Sequence, residues 1–372
     1  MLPLLFKHRQ LPAGNSKTIT SRLISFCLFV LLFFIVNSSC KKNEHAFPFL
    51  LDSYEQVNLV SDTMGFGAAI IDPNLVNAWG ITEAPSGPIW ISANGTGVSP
   101  IYNKSGVTLR PPVTIPSAMS DAGGGTPSGI VFNGTKGFVI PGTTTISRFI
   151  FASEDGIISG WGGGNVATKA ADRSAWGAVY KGLAMAWNGA NFLYATNFKG
   201  RMIDVFDSNF NYVASKGFND PFIPHDFGPF NIRNIGGKLY VTYAKLKAPD
   251  NHDDQAGPGN GFVDVYWPNG DFIKRFATRG VLNSPWGIAQ APASFSKINN
   301  AILIGNFGDG RINIFKDDGI FLGQLQDHGK PLKIDGLWAL ESNVPATDST
   351  QVYFTAGPDD ESHGLFGYLM RK

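Results

Sequence analysis

Ser284-Pro285-Trp286-Gly287-Ile288-Ala289, followed by Ala301-Ile302-Leu303-Ile304-Gly305-Asn306-Phe307-Gly308-Asp309-Gly310-Arg311-Ile312-Asn313-Ile314-Phe315, decides the fold of this 372-residue chain. A small residue and an aliphatic one, Gly287-Ile288, open a hydrophobic stretch. The same opening recurs at Gly80-Ile81, Gly129-Ile130, Gly182-Leu183, Asn231-Ile232 and Gly336-Leu337. The steps between the aliphatic residues are 49, 53, 49, 56 and 49 residues. A period near 50 with strand-like units is the signature of a propeller built from four-stranded blades. The sequence therefore predicts an all-β, six-bladed β-propeller.

Each copy continues alike. A second apolar run follows: Ile89-Trp90-Ile91, Gly137-Phe138-Val139-Ile140, Phe192-Leu193-Tyr194, Leu239-Tyr240-Val241, Ile302-Leu303-Ile304 and Val352-Tyr353-Phe354. A third run alternates, as in Met202-Ile203-Asp204-Val205-Phe206 and Phe262-Val263-Asp264-Val265-Tyr266. β-branched and aromatic residues at period two read as strands. Ser105-Gly106, Asp155-Gly156, Asn269-Gly270 and Asp318-Gly319 read as tight type I′ turns between third and fourth strands. No substantial helix is expected after the N-terminal segment. The last copy lacks one strand, and Gln56-Val57-Asn58-Leu59-Val60 has no other place. That N-terminal strand should complete the sixth blade and remove two open edges at once.

Residues 1–39 read as a signal peptide of lipoprotein type. Lys7, Arg9, Lys17 and Arg22 precede the apolar run Leu23 to Val36, and Asn37-Ser38-Ser39-Cys40 follows. Basic, apolar, small is the order of a secretion signal. Cys40 then becomes the acylated N-terminus, residues 40–53 a tether, and residues 54–372 the propeller. The expected location is the cell envelope. The only other cysteine, Cys27, lies inside the apolar run, so the propeller has no thiol chemistry. Four of the 30 Lys and Arg, and none of the 29 Asp and Glu, fall in residues 1–39. The remaining chain carries 26 positive against 29 negative side chains, a net of −3. A nucleic-acid partner, which demands a basic stripe, is not expected.

The Ser284 to Phe315 repeat resembles an NHL-type blade. Asn58-Leu59-Val60-Ser61-Asp62, Asp72-Pro73-Asn74-Leu75-Val76-Asn77-Ala78-Trp79-Gly80-Ile81 and Ala256-Gly257-Pro258-Gly259-Asn260-Gly261-Phe262-Val263-Asp264-Val265 resemble a bacterial family of exported propellers. Some members of that family carry a PEP-CTERM sorting signal. The resemblance covers the chain from about residue 56 onward. It implies fold and export and transfers no activity to any residue.

Candidate chemistry follows from the repeat. The residue before each small-aliphatic pair should ring one mouth of the central channel: Trp79, Ser128, Lys181, Phe230, Trp286 and Asp335. In a six-fold ring Lys181 would then face Asp335. An apolar wall with a few convergent polar groups suits a small ligand; aromatics packed between blades are the alternative. The loops after the second strands offer a second ring, Asn94, Asn197, Tyr243 and Asn306, whose amides either bind ligands or stabilise turns. Two acidic loops, one with Asp250, His252, Asp253 and Asp254 and one with Asp359, Asp360, Glu361 and His363, leave one face. Such loops are either solvated or supply hard ligands to calcium or another divalent cation. Asp335, Asn197, Asn306, Asp253 and Asp359 are the candidate ligands. The lactonase type of propeller combines a Glu, two Asn and an Asp around its ion, and no Glu stands at an inner-strand start here. Zinc-protease, serine-hydrolase and phosphate-loop motifs are absent. The expectation is a monomeric, lipid-anchored scaffold binding a protein, glycan or small ligand. A metal-dependent hydrolase and a purely structural protein are the alternatives.

Overall fold

A computed structural model describes residues 53–214, 217–342 and 350–372. Cys40, the signal segment and the tether up to residue 52 lie outside the described residues. Six antiparallel meanders follow one another around a ring. Their inner strands are Ala78–Glu83, Pro127–Phe132, Tyr180–Trp187, Phe227–Ile235, Pro285–Gln290 and Leu337–Glu341. Each is followed outward by its second, third and fourth strands, so the chain is an all-β six-bladed propeller. The helical elements among the described residues are two 3₁₀ turns, Asn94–Thr96 and Ser174–Trp176.

The long apolar runs follow from face-to-face packing of blades. In the second strand of the fifth blade, Leu303 packs into one inter-blade core and Ile302 and Ile304 into the next. Alternate side chains point to opposite faces, and both faces are dry. Each such side chain stabilises by roughly 1.5–3 kcal/mol when buried.

The ring closes as the missing strand predicts. Tyr54–Ser61 pairs antiparallel with Leu365–Arg371, from Tyr54 opposite Arg371 to Ser61 opposite Leu365. The first and last strands among the described residues thus share one sheet, which Ile70–Ile71 extends in parallel.

Three expectations are corrected. The second strand of blade two is Phe149–Ser153, not residues 137–140. Phe138 instead adopts φ 59° and donates its backbone N–H to Ser208 O at 2.7 Å, packing on Phe210 under the next blade. Asp155-Gly156 consequently joins the second and third strands. The hairpin turns are not type I′ either. Gly106, Gly270 and Gly319 have φ of 83°, 91° and 100°, while the residues before them are not left-handed. Register shifts follow at Ile101/Tyr102, Val265/Tyr266 and Ile314/Phe315. This is a turn ending in one left-handed glycine and a bulge.

The third correction concerns the sixth repeat. Every inner strand shifts register near its start: Ala78/Ile81, Pro127/Ile130, Tyr180/Leu183, Pro229/Asn231, Pro285/Gly287 and Leu337/Leu340. The shared bulge aligns Ala339-Leu340, not Gly336-Leu337, with Gly80-Ile81. The small residue is required because the next inner strand passes over it. A Cβ on Gly80 would lie 2.4 Å from Ser128 O, and one on Gly287 2.9 Å from Trp338 O.

Candidate functional site

The bulge re-aims the residue that precedes each small one. The ring at this level is therefore Trp79, Ser128, Lys181, Phe230, Trp286 and Trp338. Trp338 takes the place assigned by sequence to Asp335. Trp79 stacks on Trp338 at 3.7 Å, and Trp338 on Phe307 at 3.9 Å. Trp286 meets both tryptophans edge-on, at 6.2 and 5.8 Å. Phe230 completes the plug, 5.9 Å from Trp338. All four ring aromatics are buried. Ser128 is buried too, its Oγ 2.7 Å from Tyr180 O, and so ties two blades together.

A polar layer covers this aromatic plug. Lys181 is 2% exposed, with its Nζ 5.1 Å from the centre of the Trp79 ring. The ammonium donates to Glu154 Oε1 and lies 3.3 Å from Asp253 Oδ1. Glu154 Oε2 accepts from Asn94 Nδ2 at 2.8 Å. Asn77 Nδ2 donates to Glu361 Oε2 at 2.7 Å, while Asn77 Oδ1 accepts from Trp338 Nε1 at 3.0 Å. His252 Nδ1 lies 3.1 Å from Asp253 Oδ1. The layer joins groups from five blades: Asn77 and Asn94, Glu154, Lys181, the 252–253 segment of the long loop in blade four, and Glu361.

Electrostatics follow from this packing. Burial disfavours the charge on Lys181, but the Glu154 and Asp253 carboxylates outweigh it and raise its pKa. The bond from His252, with help from Lys181, lowers the pKa of Asp253 against its partial burial. Asp253 in turn raises that of His252. Burial raises Glu361, against the bond from Asn77. Lys181 is thus an ammonium donor and not a base. Glu154, His252 and Asp253 place potential ligand atoms within 4.8 Å of one another.

The sequence placed some of these residues and misplaced others. Lys181, Trp79, Asn94 and Asp253 meet at the mouth. Lys181 does not face Asp335, which is exposed and accepts from Asp359 N at 3.0 Å. Asp359 stays with Asp335 in that loop. Asn197 and Asn306 lie one residue ahead of the position shared by Asn94, Glu154, Phe198 and Phe307, so their side chains turn to their own loops. Asn197 Oδ1 accepts from Gly200 N at 3.0 Å, and Asn306 Nδ2 donates to Asp309 Oδ1 at 3.0 Å. Tyr243 is buried, 2.9 Å from the hydroxyl of Tyr266. His363 lies 2.9 Å from Asp62 Oδ2. Glu154, Asn77 and Trp338 were not expected in the site. Once the second strand of blade two is set at Phe149–Ser153, Glu154 is found by the same count that selects Asn94.

No family model matches the chain. Two proteins of Acanthamoeba polyphaga mimivirus match most of it. The uncharacterized protein L690 is 36% identical over 332 residues, 85% of this chain and 86% of its own length. The uncharacterized protein R648 is 34% identical over 317 residues, 82% and 77% of the two chains. These relatives are viral, where the sequence resemblance implied bacterial ones. Among solved structures, a protein of unknown function from Bacteroides thetaiotaomicron matches with a TM-score of 0.52 at 12% identity, over 85% of this chain and 76% of that one. Virginiamycin B lyase from Staphylococcus aureus gives a TM-score of 0.49 at 11% identity, over 86% and 99%. Likeness at these identities concerns the fold alone.

Proposed function

This chain belongs to the same β-propeller family as the two mimivirus proteins, and we propose that it works as a ligand-binding scaffold through the mouth around Lys181. Lys181 carries this reading. A fold needs no buried ammonium, and taking one from water costs several kcal/mol unless it is well paired. Here the pairing draws on two other blades and sits at an entrance, where such groups mark functional sites. Glu154, Asp253 and Glu361 offer acceptors, and Asn77 and Asn94 add amides. A small ligand with an amino group and hydroxyls, such as an amino sugar, suits that set. Export, kinship with the bacterial PEP-CTERM propellers and acylation at Cys40 belong to this proposal. They are supported by the sequence resemblance and by the order of residues 7–40.

A second reading is favoured by Glu154, His252 and Asp253. Their donor types suit calcium or zinc, and a metal-assisted hydrolase would use them as ligands with one position open. Lys181 already pairs with Glu154 and Asp253, so an ion would have to displace its ammonium. Metal analysis of the purified protein, followed by calorimetric titration with glucosamine, separates the two. A metal-free protein that binds glucosamine, and loses it in Asp253→Asn, fits the scaffold. One bound divalent ion per chain, lost in Asp253→Asn, moves the assignment to the hydrolase.

A further inference from the structure

The rim opposite the Lys181 mouth carries exposed indoles. The inner strand of each blade runs from the mouth to this rim, and so does the third. Antiparallel order therefore puts the end of Tyr180–Trp187 and the turn after Gly261–Tyr266 on the rim. Trp187 is 65% exposed there and Trp267 48%. Lys238, which opens the second strand of blade four, holds its Nζ 5.5 Å from the centre of the Trp267 ring. Blades three and four are tied near this rim. Tyr194 Oη donates to Pro268 O at 2.8 Å, and Asn234 Nδ2 to Met185 O at 2.9 Å. The chain also enters the propeller at this rim. Tyr54 pairs with Arg371, the end of a third strand, and Lys372 N donates to Ser53 O at 2.8 Å. That entry is in blade six, three places round the ring from blade three.

We propose that this rim docks on a lipid bilayer, with Trp187, Trp267 and Lys238 in the headgroup layer and the mouth turned away from it. The inference rests on the acylation of Cys40 proposed above. Cys40 precedes Ser53 by 13 residues, which span at most about 45 Å. An acyl anchor therefore keeps the blade-six side of the rim close to the membrane. Indoles settle at the headgroup level, because the ring is apolar and its N–H stays wet. A lysine beside them meets anionic headgroups. Anchor and indoles stand on opposite sides of one face, so together they lay it flat. The mouth is the wrong sign for this contact. Its loops bring Asp250, Asp253, Asp254, Asp359, Asp360 and Glu361, which an anionic surface repels. A ligand then reaches Lys181 from the aqueous side.

The test uses the chain from Cys40 onward, which contains the whole closed ring. Its single thiol, Cys40, is joined to a maleimide headgroup in vesicles of phosphatidylethanolamine and phosphatidylglycerol. Some acyl chains carry bromine, which quenches an indole only at close contact. Tryptophan fluorescence should fall in the parent. It should fall equally in Trp176→Ser, whose indole is 69% exposed on the mouth side of blade three. Trp187→Ser and Trp267→Ser should each lose part of the quenching, and the double variant all of it. Both side chains are exposed, so the Tm should stay near that of the parent. No quenching in the linked parent overturns the proposal and leaves the rim to a protein partner. Quenching that survives in the double variant overturns it too. So does quenching lost in Trp176→Ser, which would turn the mouth toward the membrane. Because the link is chemical, none of these outcomes depends on acylation in the cell. That reading is tested separately, by the fractionation of Cys40→Ala.

Discussion

Lys181 holds its ammonium over the indole of Trp79, 5.1 Å from the ring centre, while Glu154 and Asp253 accept its hydrogen bonds. The contact joins a strand of blade three to one of blade one, so the charge network spans the mouth. Lys181→Met would keep the volume and leave Glu154 without its cation. The expected loss is about 3 kcal/mol in urea denaturation. Adding Glu154→Gln to that variant should recover part of it, because the uncompensated charge goes with it. A Lys181→Met protein as stable as the parent would show that the network does not hold the mouth together.

Glu83, at the end of the inner strand of blade one, is buried with no hydrogen-bond donor to either carboxylate oxygen, and it predicts the sign of a pH effect. Its folded pKa is raised from 4.5 to about 7. Between those values the folded state holds the proton and the unfolded chain has lost it. Stability therefore falls as pH rises through this window. The loss should be on the order of 1–2 kcal/mol once solvent screening is allowed for. Glu83→Gln should flatten the slope between pH 4.5 and about 7. An unchanged slope in that variant would assign the dependence to other groups.

Closure predicts the outcome of two truncations. Deleting residues 41–62 removes the whole Tyr54–Ser61 strand and leaves Leu365–Arg371 as an open edge. Deleting 41–52 leaves that strand intact. The first protein should melt far lower than the second, or fail to fold. Equal melting temperatures would mean that the ring holds without its N-terminal strand.

The fold was legible because the small-aliphatic opening has a mechanical cause. One inner strand passes over the next at Gly80, Gly129, Gly182 and Gly287, so the requirement recurs in four of the six blades. The site was less legible for the same reason. Gly336-Leu337 satisfies the pattern, but Gly336 has φ 60° and serves the turn before the strand. Ala339 is small enough for the crossing, and nothing local to the sequence ranks it above Gly336. That three-residue offset replaced Trp338 with Asp335. Glu154 was hidden by Phe138-Val139-Ile140, an apolar run that caps the neighbouring blade instead of forming a strand. Asn77 and Glu361 come from loops whose approach depends on ring closure. A local sequence pattern does not encode it.

Anchoring predicts a change of compartment. If Cys40 is the acylated terminus, Cys40→Ala should move the protein from the membrane to the soluble fraction, since two or more acyl chains give stable attachment. Membrane fractionation unchanged by the substitution would leave Cys40 without that role.

Asp253 and Asp335 separate the two assignments of the mouth. Asp253 reaches Lys181 and is itself largely exposed, with 63% of its side chain in solvent, so a ligand can touch it without moving the plug. Asp335 is exposed beside Asp359 and bonds a loop backbone N–H. With glucosamine as the probe, Asp253→Asn should weaken binding tenfold or more, about 1.4 kcal/mol. Asp335→Asn should leave the dissociation constant where it was. Both variants should melt within a few degrees of the parent, because neither side chain is buried. The reverse result, binding lost in Asp335→Asn and kept in Asp253→Asn, would move the site off the Lys181 network and onto the loop that follows the fifth blade.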